Sequence, residues 1–588
     1  MQNQNPSPID FEKIGAESAK LVEKFFNDQS ENMASSQHLV DAFQNFSKNW
    51  ASNPEQIVKM QVDLYQNYLN LWSSMAEKMM GKEDVAPTVS PEKTDRRFQA
   101  DEWNTNVVFD FIKQSYLLTS NWVIENIQKT EGMTAQDKTK VDFYTRQFLD
   151  AVSPTNFPMT NPEVLKKTIE TKGENLVKGL ENLLADLKRG DGNLKISITD
   201  YKAFEVGKNI ATTEGSVVYE NRMFQLIQYK PKGKQVYGRP LLISPPFINR
   251  FYILDLQQKN SFVRYAVEEC NLNTFMISWK NPDETYANVG WEEYAEEGLL
   301  EAMTQVLNVT GAKDLNAIGY CIGGTLLSTV LAALVKKKDK RVNSATFFTT
   351  LMDFTDAGEI GVFIDEEQVK HLEIRMAKKG YLDGSEMGAT FSMLRSNDMI
   401  WSFVINNYLL GQDPFPFDLL YWNDDSTRLP YKMHSYYLNN MYVQNNVVKK
   451  DKLTVLGEKV DISKIDMPIY MVGAVNDHIT PWKSCFSPLT RMQSKEIRFA
   501  LGKAGHVAGV ACPPGNPKRA FWAGDVSGEK TADAWFEKQE MQQDSWWADW
   551  KQWIQKRSDK KVDAPTKLGG PKNKVIEAAP GRYVKERY

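Results

Sequence analysis

Three residues of complementary chemistry, Cys321, Asp477 and His506, follow one another in an order suited to covalent catalysis through a thiol. Cys321 stands in Gly319-Tyr320-Cys321-Ile322-Gly323-Gly324, after the apolar Leu315–Ile318 and before the apolar run Leu326–Val335. Gly-x-Cys-x-Gly between a strand pattern and a helix pattern is the layout of a nucleophile elbow, with cysteine in the place of the commoner serine. Strand and helix approach closely at such a turn, and glycines two residues either side of the nucleophile remove the bulk that would keep them apart. The free N–H groups of the following helix are aimed at the sulfur, which favours thiolate and later an oxyanion. By itself the motif also describes a buried cysteine in a glycine-rich turn, since unpaired cysteine is usually a small core residue.

A thiol of ordinary pKa, about 8.5, gains from a neighbouring base and from an acid that orients the base. In this kind of sheet both follow the nucleophile, acid first. Of the five histidines, His38 lies in a helical N-terminal region, and His371 and His434 lie in a segment expected to cover the site. His506, in Gly505-His506-Val507-Ala508-Gly509, directly follows the strand pattern Glu496–Ala500. Asp477 follows the preceding strand pattern, Pro468–Gly473, and its neighbour His478 is read as structural. An oxyanion requires two N–H donors. Ile322, directly after the nucleophile, is one. The other is expected from Pro245-Pro246-Phe247-Ile248-Asn249, where the prolines exclude themselves and Phe247, Ile248 and Asn249 remain, with Ile248 taken as the candidate.

These residues need a parallel sheet to bring them together. Strand patterns at 240–243, 273–279, 315–320 and 344–350 alternate with helix patterns, which implies βαβ units. The alternation stops after Asp353-Phe354 and resumes near 468, far beyond a normal crossover. The intervening 354–466, with the aromatic runs 399–404 and 414–423, is expected to be a cap over the edge of the sheet where ligands bind. Before residue 200 the patterns are helical, at about 101–130, 134–152 and 162–189, and three prolines in 153–162 interrupt them. Ile57, Met60, Leu64, Tyr68, Leu71, Met75 and Met79 form one apolar face, suited to a core, to an apolar surface or to a partner helix. The expected division is therefore a helical domain over 1–200 and a catalytic domain over 201–588, with a C-terminal tail from about 555.

Composition narrows the classes. At 588 residues more than one domain is expected, and 42% hydrophobic with 25% charged residues is ordinary for a globular protein. The balance of 71 basic and 75 acidic residues gives −4, which does not favour a nucleic-acid partner. The polar start Met1–Pro6 lacks the features of a signal peptide, and the apolar run after Cys321 ends at Lys336-Lys337-Lys338, too short to cross a bilayer. Four scattered cysteines form neither a metal motif nor a disulfide framework, as a reducing cytoplasm would leave them.

Together these motifs resemble one family, the polyhydroxyalkanoate synthases. The box around Cys321 is joined by Pro245–Leu256, Ser278–Asp283, Asp353-Phe354, Val362–Glu366, Phe417–Asn423, Asp477–Ile479, Gly505–Gly509, Ser545–Trp550 and Pro580–Val584. The resemblance spans about 95–588, and the helical region before it is similar to the single-subunit, short-chain class I. It implies an α/β-hydrolase fold with an inserted cap. It also implies an acyltransferase that takes (R)-3-hydroxyacyl-CoA, typically 3-hydroxybutyryl-CoA, onto Cys321 and releases CoA. The hydroxyl of a second unit, activated by His506 with Asp477 as a further candidate, would then extend a polyester. No separate cofactor or metal is implied, CoA being part of the substrate; a homodimer and residence on cytoplasmic polyhydroxyalkanoate granules are. A thioesterase or ester hydrolase would share the triad and differ in its acceptor, and a granule scaffold would share the fold without the chemistry.

Overall fold

The computed structural model describes residues 37–82 and 84–587. The expectation of helices before residue 37 lies outside them. Two units separate. One runs to Asp200 and includes Arg395–Phe415; the other comprises Tyr201–Leu394 and the chain from Pro416.

The first unit is built from helices whose starts are written in the sequence. The Asn53 side chain accepts the Gln56 N–H and Pro54 opens Pro54–Met79, while Asn161 and Pro162 do the same for Pro162–Glu170. Asn106 and Thr134 cap Val107–Lys129 and Ala135–Ala151. Such caps satisfy first-turn N–H groups and contribute about 1 kcal/mol each. On Pro54–Met79 the expected apolar face is buried at Met60, Leu71 and Met75, whereas Met79 is exposed. A second apolar stripe, Val58, Val62, Tyr65, Leu69 and Trp72, lies exposed on the same helix.

The second unit centres on one sheet of twelve strands. They are β1 (Gly215–Glu220), β2 (Phe224–Tyr229), β3 (Gln235–Ser244), β4 (Leu272–Trp279), β5 (Leu315–Tyr320) and β6 (Val342–Phe348), followed by β7 (Ile469–Ala474), β8 (Ile497–Gly502), β9 (Ala520–Asp525), β10 (Gln542–Gln543), β11 (Lys561–Asp563) and β12 (Glu577–Ala578). Their order is β10-β9-β8-β7-β6-β5-β3-β4-β2-β1-β12, with β11 added to β3. The central run from β4 through β3, β5, β6 and β7 to β8 is parallel, and the flanking pairs are antiparallel. Every residue of β4, β5 and β7 is buried, as a parallel sheet covered on both faces requires. One face is covered by the helix Ile322–Lys336, buried at every position from Ile322 to Leu334. Trp546, Trp547, Trp550 and Phe262 help to cover the other. The strand order reverses at β3, and the ends of β3 and β5 border the crevice in which open α/β sheets bind ligands.

No strand joins this sheet between β6 and β7. Instead the helices Glu366–Lys379, Gly384–Met393, Asp418–Asp424 and Tyr431–Tyr437 fill the interval, with Tyr381–Leu382 pairing Leu429–Pro430. The cap expected over 354–466 is not continuous, because Arg395–Phe415 belongs to the first unit. Asn175 Nδ2 donates to Leu409 O, Asn407 Nδ2 to Ser197 O and Tyr408 Oη to Asp186 Oδ2, each at 2.7 Å. The residues after 555, expected as a tail, supply β11 and β12 to the sheet.

Candidate active site

Cys321 sits between β5 and the helix Ile322–Lys336 with φ 52° and ψ −124°. A non-glycine residue in such a conformation costs roughly 1–3 kcal/mol and is kept where the surroundings over-determine it. Here they do. A Cβ added to Gly319 would lie 2.5 Å from Gly324 Cα, and one added to Gly323 would lie 2.6 Å from the carbonyl oxygens of both Ser244 and Pro245. The elbow is thus pressed against the end of β3, where Ser244 pairs with Gly319. The N–H groups of Gly324 and Thr325 donate to Cys321 O at 2.9 and 3.1 Å. Ile322 opens the helix, and its N–H is one of the first-turn donors that a helix cannot satisfy internally.

Asp477 and His506 follow the C-terminal ends of β7 and β8, which pair up to Ala474 with Gly502. His506 Nδ1 lies 2.8 Å from Asp477 Oδ2, and both side chains are buried. Asp477 also accepts the N–H groups of Ile479 and Thr480 at 2.9 and 2.8 Å and the Thr480 hydroxyl at 2.7 Å. Burial would raise this carboxyl, but the His506 charge and the hydrogen bonds from His506 and Thr480 hold it below the usual carboxylate range. Burial would likewise lower His506. The Asp477 charge and hydrogen bond outweigh it, with a smaller contribution from Cys321, and the ring is pushed up to about 10. With Nδ1 on the carboxylate, Nε2 is left for the sulfur. His434 provides the contrast: burial alone holds it down, to about 4.

Sequence reasoning missed several supports of this arrangement. Thr480 bonds Asp477 and lies 3.2 Å from His506 Nδ1. Trp546 and Trp547 donate their Nε1–H to Gly509 O and Val510 O at 2.7 and 3.0 Å, which ties down the turn that carries His506. From the interval between β6 and β7, Tyr437 and Tyr442 pack edge to face at 5.4 Å, and their phenols are raised by burial and by the Cys321 charge. The Tyr437 ring lies parallel to Trp291 at 5.8 Å, and Tyr442 packs on Phe354 at 4.9 Å. These rings near the sulfur lie outside the two aromatic runs singled out in the sequence; Tyr431-x5-Tyr437-x4-Tyr442 was the available signal. The backbone carbonyl of His478 accepts the Glu359 N–H at 3.2 Å.

Ile248 lies in the loop that leaves β3 beside the elbow. Trp279 Nε1 donates to Pro245 O, Thr427 Oγ1 to Phe247 O and Trp422 Nε1 to Arg250 O, at 3.0, 3.0 and 2.7 Å. Cys321 is half-buried, whereas Cys270, Cys485 and Cys512 are buried and their thiols are pushed up by desolvation. Only the thiol at the elbow therefore combines access with an adjacent base. Among the described residues no group of three or more His, Cys, Asp or Glu side chains is placed to hold a metal ion. Nor is any described helix long and apolar enough to cross a membrane.

The arrangement can form a covalent thioester and stabilise the oxyanion that precedes it. Comparison with known proteins narrows the family. A model of the poly-beta-hydroxybutyrate polymerase (PhaC) N-terminus matches residues 94–266, and the alpha/beta hydrolase fold matches 255–509. The chain is 41% identical to a poly(3-hydroxyalkanoate) polymerase subunit PhaC of Rhizobium meliloti over 549 residues, 93% of this chain and 89% of that one. It is 42% identical to the subunit PhaC of Cupriavidus necator over 501 residues, 84% and 83% of the two chains. With the poly(3-hydroxyalkanoate) polymerase of Methylorubrum extorquens it shares 40% over 541 residues, 92% and 88%. Identity of this extent over nearly the whole length means that the chain belongs to the poly(3-hydroxyalkanoate) polymerase family, its second unit having the α/β-hydrolase fold.

Proposed function

We propose that the chain polymerises (R)-3-hydroxyacyl-CoA, of short chain length such as 3-hydroxybutyryl-CoA, through an acyl group carried on Cys321. The observation that carries this reading is the placement of the half-buried Cys321, Asp477 and His506 at the ends of β5, β7 and β8, with His506 Nδ1 2.8 Å from Asp477 Oδ2 and the thiol on a strained elbow. The Asp477 carboxylate raises His506 and so favours the ring as holder of the Cys321 proton, a thiolate–imidazolium pair from which the sulfur attacks. Cys321 Sγ attacks the thioester carbonyl while the Ile322 and Ile248 N–H groups receive the oxyanion. The carbon–sulfur bond to CoA breaks, and the departing sulfur takes the proton from His506. The hydroxyl of a second hydroxyacyl unit then gives its proton to His506 and attacks the acyl-cysteine, so an ester forms and the thiol is restored. No separate cofactor enters this scheme. The aromatic surface of Tyr437, Tyr442 and Phe354 favours the exclusion of water, which would otherwise hydrolyse the intermediate.

The proposal extends to a homodimer seated on polyester granules in the cytoplasm. The exposed stripe Val58, Val62, Tyr65, Leu69 and Trp72 supports contact with an apolar surface. The deciding experiment measures CoA release and insoluble product from (R)-3-hydroxybutyryl-CoA for the protein and for Cys321→Ala. Matching CoA and polymer, both lost in the variant, are expected. Free 3-hydroxybutyrate in place of polymer would replace this reading with a hydrolase, and turnover by Cys321→Ala would remove the thiol from the mechanism.

A further inference from the structure

The loop that carries Ile248 is held by charges buried far from the triad in sequence. Arg250, almost fully buried, directs Nε to Asp425 Oδ1 at 3.3 Å, Nη1 to Tyr583 O at 3.3 Å and Nη2 to Glu586 O. Asp425 Oδ2 accepts the Tyr252 hydroxyl at 2.7 Å and Arg587 Nη2 at 2.6 Å. Tyr583 is in turn fixed to the sheet, its N–H on Gln225 Oε1 and its hydroxyl on Asn221 O, at 3.1 and 3.0 Å. A buried guanidinium is stable only with its donors filled and a counter-charge beside it, so the end of the chain is required for Arg250 to stay where it is.

This arrangement bears on Ile248 in particular. Phe247 O accepts the Thr427 hydroxyl, Asn249 bridges Ser426, and Arg250 O accepts Trp422 Nε1. The bonds fall on both sides of Ile248 and all come from residues 422–427, the segment that Asp425 locks through Arg250 and Arg587. An oxyanion donor must be held to a fraction of an ångström before the reaction begins.

We propose that Arg250 is a positioning residue for the second oxyanion donor, locked by Asp425 and by the last residues of the chain, Tyr583 to Arg587, so that the Ile248 N–H stays beside Cys321. The inference rests on the acyl-Cys321 reading above. It assigns to the C-terminal segment a part in the chemistry that its distance in sequence from Cys321 conceals.

Two reactions of one thiol test it in the full-length protein. Acylation by (R)-3-hydroxybutyryl-CoA, followed as the burst of CoA, builds an oxyanion; alkylation by iodoacetamide, which displaces iodide, does not. Arg250→Lys keeps the charge but lacks the fork, and Arg587→Gln alters a half-exposed side chain that tolerates change. Acylation is expected to fall about 10- to 100-fold in Arg250→Lys and about 3- to 10-fold in Arg587→Gln. Alkylation of Cys321 should stay within about twofold and KM within about threefold, because thiol, base and binding surface are untouched. Equal losses in both reactions would make Arg250 a support of the whole fold and overturn the proposal. So would acylation at the wild-type rate in both variants. If Arg250→Lys does not fold, Arg587→Gln alone decides. A failure of the underlying reading looks different: wild-type protein alkylated at Cys321 would still release CoA.

Discussion

Replacing Asp477 with asparagine tests the electrostatics of the site most directly. His506 is pushed up to about 10 against its burial, and the leading causes that raise it are the Asp477 charge and the hydrogen bond to Oδ2 at 2.8 Å. Raising an imidazole from 6.5 to about 10 corresponds to roughly 5 kcal/mol of preference for the protonated ring, at about 1.4 kcal/mol for each tenfold. Asparagine keeps the shape and removes the charge. His506 should then titrate below 6.5, in the direction of His434, which burial alone holds at about 4. The sign of the pH dependence reverses with it. In the wild type the raised imidazole stabilises the fold fully below about 6.5, and that contribution is lost as pH rises through about 10. The depressed Asp477 carboxyl contributes above about 4 and is lost on further acidification, so the pair supports the fold most between about pH 4 and 6.5. In Asp477→Asn the ring contributes instead above about 6.5 and loses that contribution as pH falls through its new pKa. The deficit of the variant should therefore be larger at pH 6 than at pH 9.5 in denaturant titrations. NMR of ring-labelled histidine, assigned with His506→Gln, reads the pKa itself. CoA release should fall about 1,000- to 10,000-fold, as when the carboxylate of a catalytic triad is lost. A ring in Asp477→Asn that still titrates above 9 would refute this account of His506.

Two further predictions follow from packing. Gly323→Ala would place a methyl 2.6 Å from two carbonyl oxygens of the β3 end, and relief requires the elbow and the Ile248 loop to part by roughly half an ångström. A stability loss of about 1–3 kcal/mol and at least about a tenfold lower rate of CoA release are expected; wild-type melting and turnover would show that the two elements are not interlocked. Trp546→Phe keeps an aromatic ring but leaves the buried Gly509 carbonyl without its 2.7 Å donor, at a cost of about 1–3 kcal/mol. Hydrogen exchange should quicken across residues 505–511 more than in β5, and uniform exchange would separate the tryptophan from the His506 turn.

By itself the sequence determined what local rules can specify. Apolar runs broken by glycine and proline mark the strand–turn–helix at Cys321, because an elbow must be narrow at Gly319 and Gly323 wherever the rest of the chain lies. Asn-Pro pairs at 53–54 and 161–162 open helices by the same short-range logic. The order of Cys321, Asp477 and His506 at the ends of β5, β7 and β8 could be read because parallel strands present their C-terminal ends on one edge. What only the tertiary structure decided involves partners far apart in sequence. Arg395–Phe415 reads as part of a cap by its aromatic content, yet its carbonyls and side chains bond to Asn175, Asp186 and Ser197 in the first unit. The tyrosine spacing at 431, 437 and 442 marks an aromatic face but not the thiol more than a hundred residues earlier that it meets, and Arg587 carries no mark of nearness to Arg250. The protonation of His506 belongs to the same class. Its ring has the same intrinsic chemistry as that of His434, and the two part from about 10 to about 4 because a buried charge takes its state from the counter-charge that folding brings beside it.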